Sequence, residues 1–95
     1  ENNAKLQEQQ LTNNFNATIQ QYKQDIEQYH YYVEQAIPNA EKIVKAAQLG
    51  YKTGEISYVE YLMALQTATS IQLKYLESIQ LVNQSVVNIN AILNQ

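Results

Sequence analysis

The scarcity of turn-forming residues constrains the fold of this chain more than any other feature. Its 95 residues include only two glycines and one proline. Glycine and proline supply many of the tight turns in proteins, and an all-β fold needs many such turns. The composition therefore favours an all-α fold built from a few long helices.

Apolar and aromatic residues recur every three or four positions, which is the spacing of one helix face. The first stripe comprises Leu11, Phe15, Ile19, Tyr22, Ile26, Tyr29, Val33, Ile37, Ala40, Val44, Ala47 and Tyr51. The second comprises Tyr61, Ala64, Ala68, Ile71, Tyr75, Ile79, Val82, Val86, Ile89 and Leu93. Two four-residue steps join Ile71, Tyr75 and Ile79, a local 11-residue type of repeat that relaxes a left-handed supercoil. Stripes of this length predict coiled-coil packing.

Pro38 lies within the first stripe. Proline lacks the amide hydrogen of the helical ladder and clashes with the carbonyl group four residues earlier. The rhythm nevertheless continues through Val33, Ile37, Ala40 and Val44. A loop of arbitrary length would usually break that rhythm. We therefore expect a kink near Pro38, or a brief break after which the helix resumes, within one first helix over about residues 3–53.

The stretch "TGEIS" carries helix-ending and helix-starting signals within a few residues. Gly54 suits the left-handed position that closes a helix. Ser57 and Glu60 have the spacing of a capping box, which predicts a second helix over about residues 57–94. A connection this short predicts two antiparallel helices, a long helical hairpin whose tip lies at Thr53–Ile56.

The second helix has more apolar surface than one partner helix can cover. A further row of large side chains accompanies its main stripe and comprises Tyr58, Leu62, Leu65, Leu73, Leu76 and Ile92. This row predicts an assembly element that contacts another helix or another copy of the chain. We expect the isolated chain to form a dimer or a larger assembly.

Composition and motifs argue against several functions. The chain has no cysteine, and its basic residues are all lysines without a basic block, which argues against nucleic acid as a partner. With one histidine and no phosphate-binding glycine loop, the sequence predicts no enzymatic activity and no cofactor. Glu27, His30 and Glu34 could share a helix face and bind a divalent ion, although a solvated charge cluster is the commoner arrangement and no metal site is expected.

The residues from Ile37 onward resemble the C-terminal part of the TolC-type outer membrane factors. Those proteins show Leu-Pro-x-Ala, Tyr-x-x-Gly, Leu-x-x-Leu-x-Ala and Tyr-Leu at similar spacing. The corresponding segments here are Ile37–Ala40, Tyr51–Gly54, Tyr61–Leu65 and Tyr75–Leu76, with Ala47 between the first two. The stretch "GEISYVEYLMALQTA" is most similar to the heavy-metal efflux branch, which includes extensions fused to pumps of the cobalt–zinc–cadmium type. The resemblance covers about the last 60 residues.

The resemblance implies a hairpin from a trimeric α-helical tunnel in the bacterial periplasm, as one segment of a longer, membrane-anchored protein. Its tip would contact a periplasmic adaptor protein that works with an inner-membrane efflux pump. The tip residues would be Tyr51, Gly54, Glu55, Ser57 and Glu60.

Some of these positions also have simpler interpretations, or depart from the family. Glu60 falls where many family members place an acidic residue at the tunnel aperture, although the capping box alone accounts for it, and Tyr51 is explained as well by packing. Met63 falls where the family often has a second acidic residue, which argues against two acidic rings. The alternative function is a stand-alone coiled-coil scaffold or adaptor with no role in transport.

Overall fold

A computed structural model of the protein describes residues 2–94. It contains helices α1 (Asn2–Tyr31), α2 (Ile37–Thr53) and α3 (Tyr58–Leu93), and a five-residue π-helical turn (Tyr32–Ala36) joins α1 directly to α2. We call α1, the π turn and α2 together the first arm, and α3 the second arm. The described residues contain no β-strand, and the molecule measures 76 × 20 × 17 Å. The predicted all-α helical hairpin is confirmed.

The second arm buries one row of side chains against the first. Its buried and half-buried members are Tyr61, Ala64, Ala68, Ile71, Tyr75, Ser78, Val82, Ser85, Ile89 and Ile92. The steps in this row alternate between three and four residues throughout, which is the heptad pattern of a coiled coil. We call the contact between the two arms the seam.

The prediction of an 11-residue type of repeat between Ile71 and Ile79 is wrong. Ser78 and Ser85 occupy the seam at 1% and 3% exposure, whereas Val86 is 40% exposed and Leu93 is 66% exposed. The predicted stripe followed the neighbouring row of the helix, through Ile79 and Val86, because the seam positions 78 and 85 are serines and not apolar residues. The Ser78 hydroxyl donates to the Tyr75 carbonyl oxygen at 2.6 Å, so its polarity is satisfied inside its own helix.

The seam of the first arm also differs from the expected stripe. Its buried and half-buried members are Phe15, Thr18, Tyr22, Asp25, Tyr29, Tyr32, Ala36, Ala40, Ile43, Ala47 and Gly50. Steps of three and four alternate here too, except for two consecutive steps of four from Tyr32 to Ala36 to Ala40. A heptad pattern would make the second step three residues long, so this step of four adds one residue. The π turn accommodates this residue, because a π helix has more residues per turn than an α-helix.

The π turn directly precedes Pro38. The Ile37 amide donates to the Tyr32 carbonyl oxygen, five residues back, while Pro38 has no amide hydrogen to donate. The backbone remains helical across Pro38, as the continuous stripe predicted. A kink of the helix axis at this point stays a prediction.

Candidate functional site at the hairpin tip and along an apolar flank

The first arm ends in a Schellman motif, in which backbone amides beyond the helix bond back to its last carbonyl groups. The Glu55 amide donates to the Gly50 carbonyl oxygen at 2.8 Å, and the Gly54 amide donates to the Tyr51 carbonyl oxygen at 3.2 Å. Gly54 has the positive φ of 81° that this motif requires. The conformation predicted for Gly54 is therefore confirmed.

Gly50 is a tip residue that sequence reasoning missed. It is buried, and a Cβ atom placed on it would lie 3.3 Å from Cγ1 of Ile56. The absence of a side chain at Gly50 thus lets Ile56 fold back over the end of the first arm. The sequence signal that could have identified Gly50 as a tip residue is its position four residues before Gly54.

The second arm begins with the predicted capping box. The Glu60 amide donates to the Ser57 hydroxyl oxygen at 3.1 Å, and the Ser57 amide donates to the Glu60 carboxylate at 3.2 Å. Ser57 has the extended backbone of an N-cap residue. Together with the Schellman motif, the box fixes the direction in which α3 leaves the tip.

Gly54→Val is expected to destabilise the tip by about 1 kcal/mol or more, because a β-branched residue is poorly tolerated at positive φ. Thermal unfolding followed by circular dichroism measures the loss. Nothing lies within 4 Å of a Cβ atom at Gly54, so backbone strain and not a clash would be the cause. Unchanged melting would contradict the role given to this residue.

Three tyrosines form a cluster beside the tip. The rings of Tyr51 and Tyr61 stack with centroids 5.2 Å apart, and the ring of Tyr58 lies 5.7 Å from that of Tyr51. Tyr51 and Tyr58 keep 46% and 57% of their surface exposed. The packing interpretation of Tyr51 is therefore supported, and the same ring also presents an aromatic surface to solvent.

One row of α3 beside the seam carries no charge and half of the ten exposed large apolar side chains of this helix. We call this row the apolar flank; it comprises Tyr58, Leu62, Leu65, Thr69, Gln72, Leu76, Ile79, Asn83, Val86, Asn90 and Leu93. The charged residues of α3 are Glu60, Lys74 and Glu77, and all three lie on other rows. The flank contains four residues of the predicted second row. Of the other two, Leu73 lies on an adjacent row and Ile92 belongs to the seam.

Two grooves on opposite sides of the α1–α3 pair differ in charge. On the flank side, an open groove of about 270 Å³ is lined by Ile26, Tyr29, Ile79, Val82 and Asn83. On the opposite side, a groove of about 280 Å³ is lined by Gln28, Tyr32, Lys74, Glu77, Ser78 and Leu81. The flank-side groove between α1 and α3 thus has the more apolar lining, whereas nearer the tip Glu41 and Lys45 of α2 line a groove together with Gln72 of the flank.

Of the residues Glu27, His30 and Glu34, the structure brings two into contact. Nδ1 of His30 lies 3.8 Å from a Glu34 carboxylate oxygen, and both side chains are well exposed. Across residues 2–94, no three His, Cys, Asp or Glu side chains are grouped closely enough to hold a metal ion. A separate finding is that no helix in the described part of the chain is long and apolar enough to cross a membrane.

Sequence reasoning also missed the polar and aromatic centre of the seam. Asp25 is 4% exposed, accepts a hydrogen bond from the Ser85 hydroxyl, and accepts another from the Gln21 amide at 3.0 Å. Nearby, the rings of Tyr29 and Tyr75 stack with centroids 6.0 Å apart. Desolvation raises the pKa of the Tyr75 phenol, and the neighbouring Tyr29 adds to that rise.

Comparison with known proteins gives no match to a family model, to a curated protein or to a solved structure.

Proposed function

We propose that the chain is a periplasmic tunnel hairpin of a bacterial efflux system, of the type found in TolC-like outer membrane factors. In this proposal, copies of the hairpin assemble side by side through the apolar flank, as a trimeric tunnel in the parent protein. The tip residues Tyr51, Gly54, Glu55, Ser57 and Glu60 contact a periplasmic adaptor protein, and the adaptor connects the tunnel to an inner-membrane pump for heavy-metal cations.

The apolar flank is the observation that carries the proposal. Leu62, Leu76 and Val86 are each at least 40% exposed along a row without charge, and the hairpin formed by residues 2–94 contains no further helix to cover them. Exposed apolar rows of this kind mark sites of association. A rod 76 Å long with one such side and a rigid, aromatic tip suits a wall element that meets its neighbours laterally and another protein end-on.

The tip motif supplies the second line of support. The Tyr51-x-x-Gly54 motif that carries the resemblance ends the first arm in a Schellman motif, and Glu60 begins the second arm. Glu60 contributes to the cap through its carboxylate oxygen while remaining exposed. One side chain can therefore both cap the helix and present a charge to an adaptor or to the tunnel aperture.

Export assayed in cells carrying the full-length protein tests the role of the tip. Glu60→Lys is expected to impair export or adaptor binding severely at unchanged expression, because it reverses the charge at the tip. Glu60→Gln separates the two roles of this residue, since glutamine keeps the capping box and removes the charge. Glu77→Lys, an exposed charge reversal far from the tip on the same helix, is the matched control and should export normally.

The second candidate is a stand-alone scaffold without a transport role. The same flank supports it, because association through the flank does not require a functional tip. Full export by Glu60→Lys, with self-association through the flank intact, would support the scaffold and contradict the tunnel. Impaired export by Glu60→Lys together with normal export by Glu77→Lys would support the tunnel.

A further inference from the structure

Asp25 is a buried carboxylate in a seam that is otherwise aliphatic, aromatic or small. Both of its oxygens have donors: Ser85 on the opposite arm, 60 residues away in sequence, and Gln21 one turn earlier on the same helix. The bond from Ser85 joins the two arms directly. Burying a carboxylate is costly unless its oxygens are satisfied.

By hydrophobicity alone, Ile26, the residue after Asp25, would be the better choice for a seam position. The row Ile19, Ile26, Val33 and Ile37 runs beside the row Thr18, Asp25, Tyr32 and Ala36. Apolar burial alone would turn the isoleucine row into the seam. The structure instead buries Asp25 more deeply than this row, since Asp25 is 4% exposed while Ile19, Ile26 and Ile37 are half-buried at the edge of the seam and Val33 is 40% exposed. A polar residue that is buried although an apolar residue lies beside it is typical of an interaction that selects one packing arrangement of two helices over another.

We propose that the Asp25–Ser85 bond is a phase lock, which holds the first arm in the rotation that keeps the row of Ile19, Ile26, Val33 and Ile37 at the edge of the seam and not at its centre. Rotating α1 by one residue would bring Ile26 toward α3 and carry Asp25 away from Ser85. A buried polar pair disfavours such slips because every other arrangement leaves it unpaired, as with single polar residues in coiled-coil cores. The lock acts in α1 beyond the π turn, where the tip motifs constrain rotation least.

The lock has a consequence for assembly, and this part rests on the proposed function. In the locked phase, Ile26 lies on the flank side of the hairpin, where it lines the same groove as Ile79. The open side then presents apolar residues from both arms to a second copy of the chain. In the rotated phase, α1 would bury those residues and leave only α3 to make the contact.

Nuclear Overhauser contacts at residue 85 test the phase directly, because they lie within one hairpin. In Ser85→Ala, contacts from Asp25 to residue 85 should be lost or reduced at least twofold, and contacts from the Ile26 methyl groups to residue 85 should appear. Ser85→Thr, which keeps the hydroxyl group, should retain the native contacts. Ser70→Ala, at an exposed serine on the same helix, should change nothing.

A Ser85→Ala variant that keeps Asp25 against residue 85, with no new Ile26 contact, would overturn the lock even if its stability falls. If Ser85→Ala does not fold, Asp25→Leu replaces it, and two sets of isoleucine methyl signals are expected; a single set in the native phase would overturn the proposal. Sedimentation of the same variants separates the phase lock from the proposed assembly through the flank. A shifted phase with unchanged self-association would leave the lock standing and count against assembly through the flank.

Discussion

At high micromolar concentration the isolated chain is expected to sediment as a dimer or a larger assembly. Two helices joined at one end form a single seam, and ordering each residue costs about 1.5 kcal/mol, so a small core has little stability to spare. The apolar flank would stay in water in a monomer. Pairing two hairpins into a four-helix bundle covers it, and a two-fold dimer is the commonest closed arrangement.

The flank alone supplies part of the area that such an interface needs. A contact strip about one helix wide, roughly 10 Å, along the 36 residues of α3, which rise about 54 Å, amounts to about 540 Å² on each partner. A standard specific interface buries about 800 Å² on each partner, so side chains of the first arm must contribute the rest. The flank row itself carries no charge, so its own side chains would add no unpaired ion to the interface.

Leu76→Glu and Leu81→Glu form a matched pair for locating the interface. Both leucines are about half exposed on α3, but Leu76 lies on the flank and Leu81 lines the opposite groove. Leu76→Glu is expected to weaken self-association at least tenfold, or about 1.4 kcal/mol, because it would place a charge in the interface. Leu81→Glu should leave it nearly unchanged. Sedimentation equilibrium that finds a folded wild-type monomer, or equal effects of the two variants, would contradict the assigned face.

The predictable part of this fold is the part that short-range chemistry determines. Gly54, Ser57 and Glu60 act through bonds to residues three or four positions away, and the bounds of the tip follow from them. The length of the second arm follows from the absence of glycine and proline after Tyr58, whereas the first arm continues to Thr53 despite Pro38 and Gly50. These features need no knowledge of the partner helix.

The identity of the seam residues was less predictable, because it depends on what the opposite arm offers. Ser85 is buried where Val86 was expected, and Asp25 is buried where Ile26 was expected. Each of these polar residues has a hydrogen-bond partner that a one-dimensional apolar pattern does not reveal. The π turn was missed for the same reason, since its extra residue is needed only to keep both halves of the first arm facing α3.

Ala47→Asp is expected to unfold the hairpin, whereas Ala46→Asp should be tolerated. Ala47 is 5% exposed in the seam, while Ala46 is exposed on the other face of α2. The substitutions have the same helix propensity and the same charge, so the difference between them isolates burial. An unpaired carboxylate in the seam should cost about 3 kcal/mol, and the exposed one only the propensity term of about 0.7 kcal/mol or less.

A loss of about 3 kcal/mol is comparable to the whole stability of a domain this small, so Ala47→Asp should lose most of its helical circular dichroism at 25 °C. The comparison with Asp25 makes this test informative. Asp25 is a carboxylate in the same seam, and it is tolerated because Ser85 and Gln21 donate to both of its oxygens. Equal stability of the two alanine variants would mean that the seam accepts carboxylates without donors. In that case hydrogen bonding could not be the reason that Asp25 is buried, and the basis of the phase lock would fail with it.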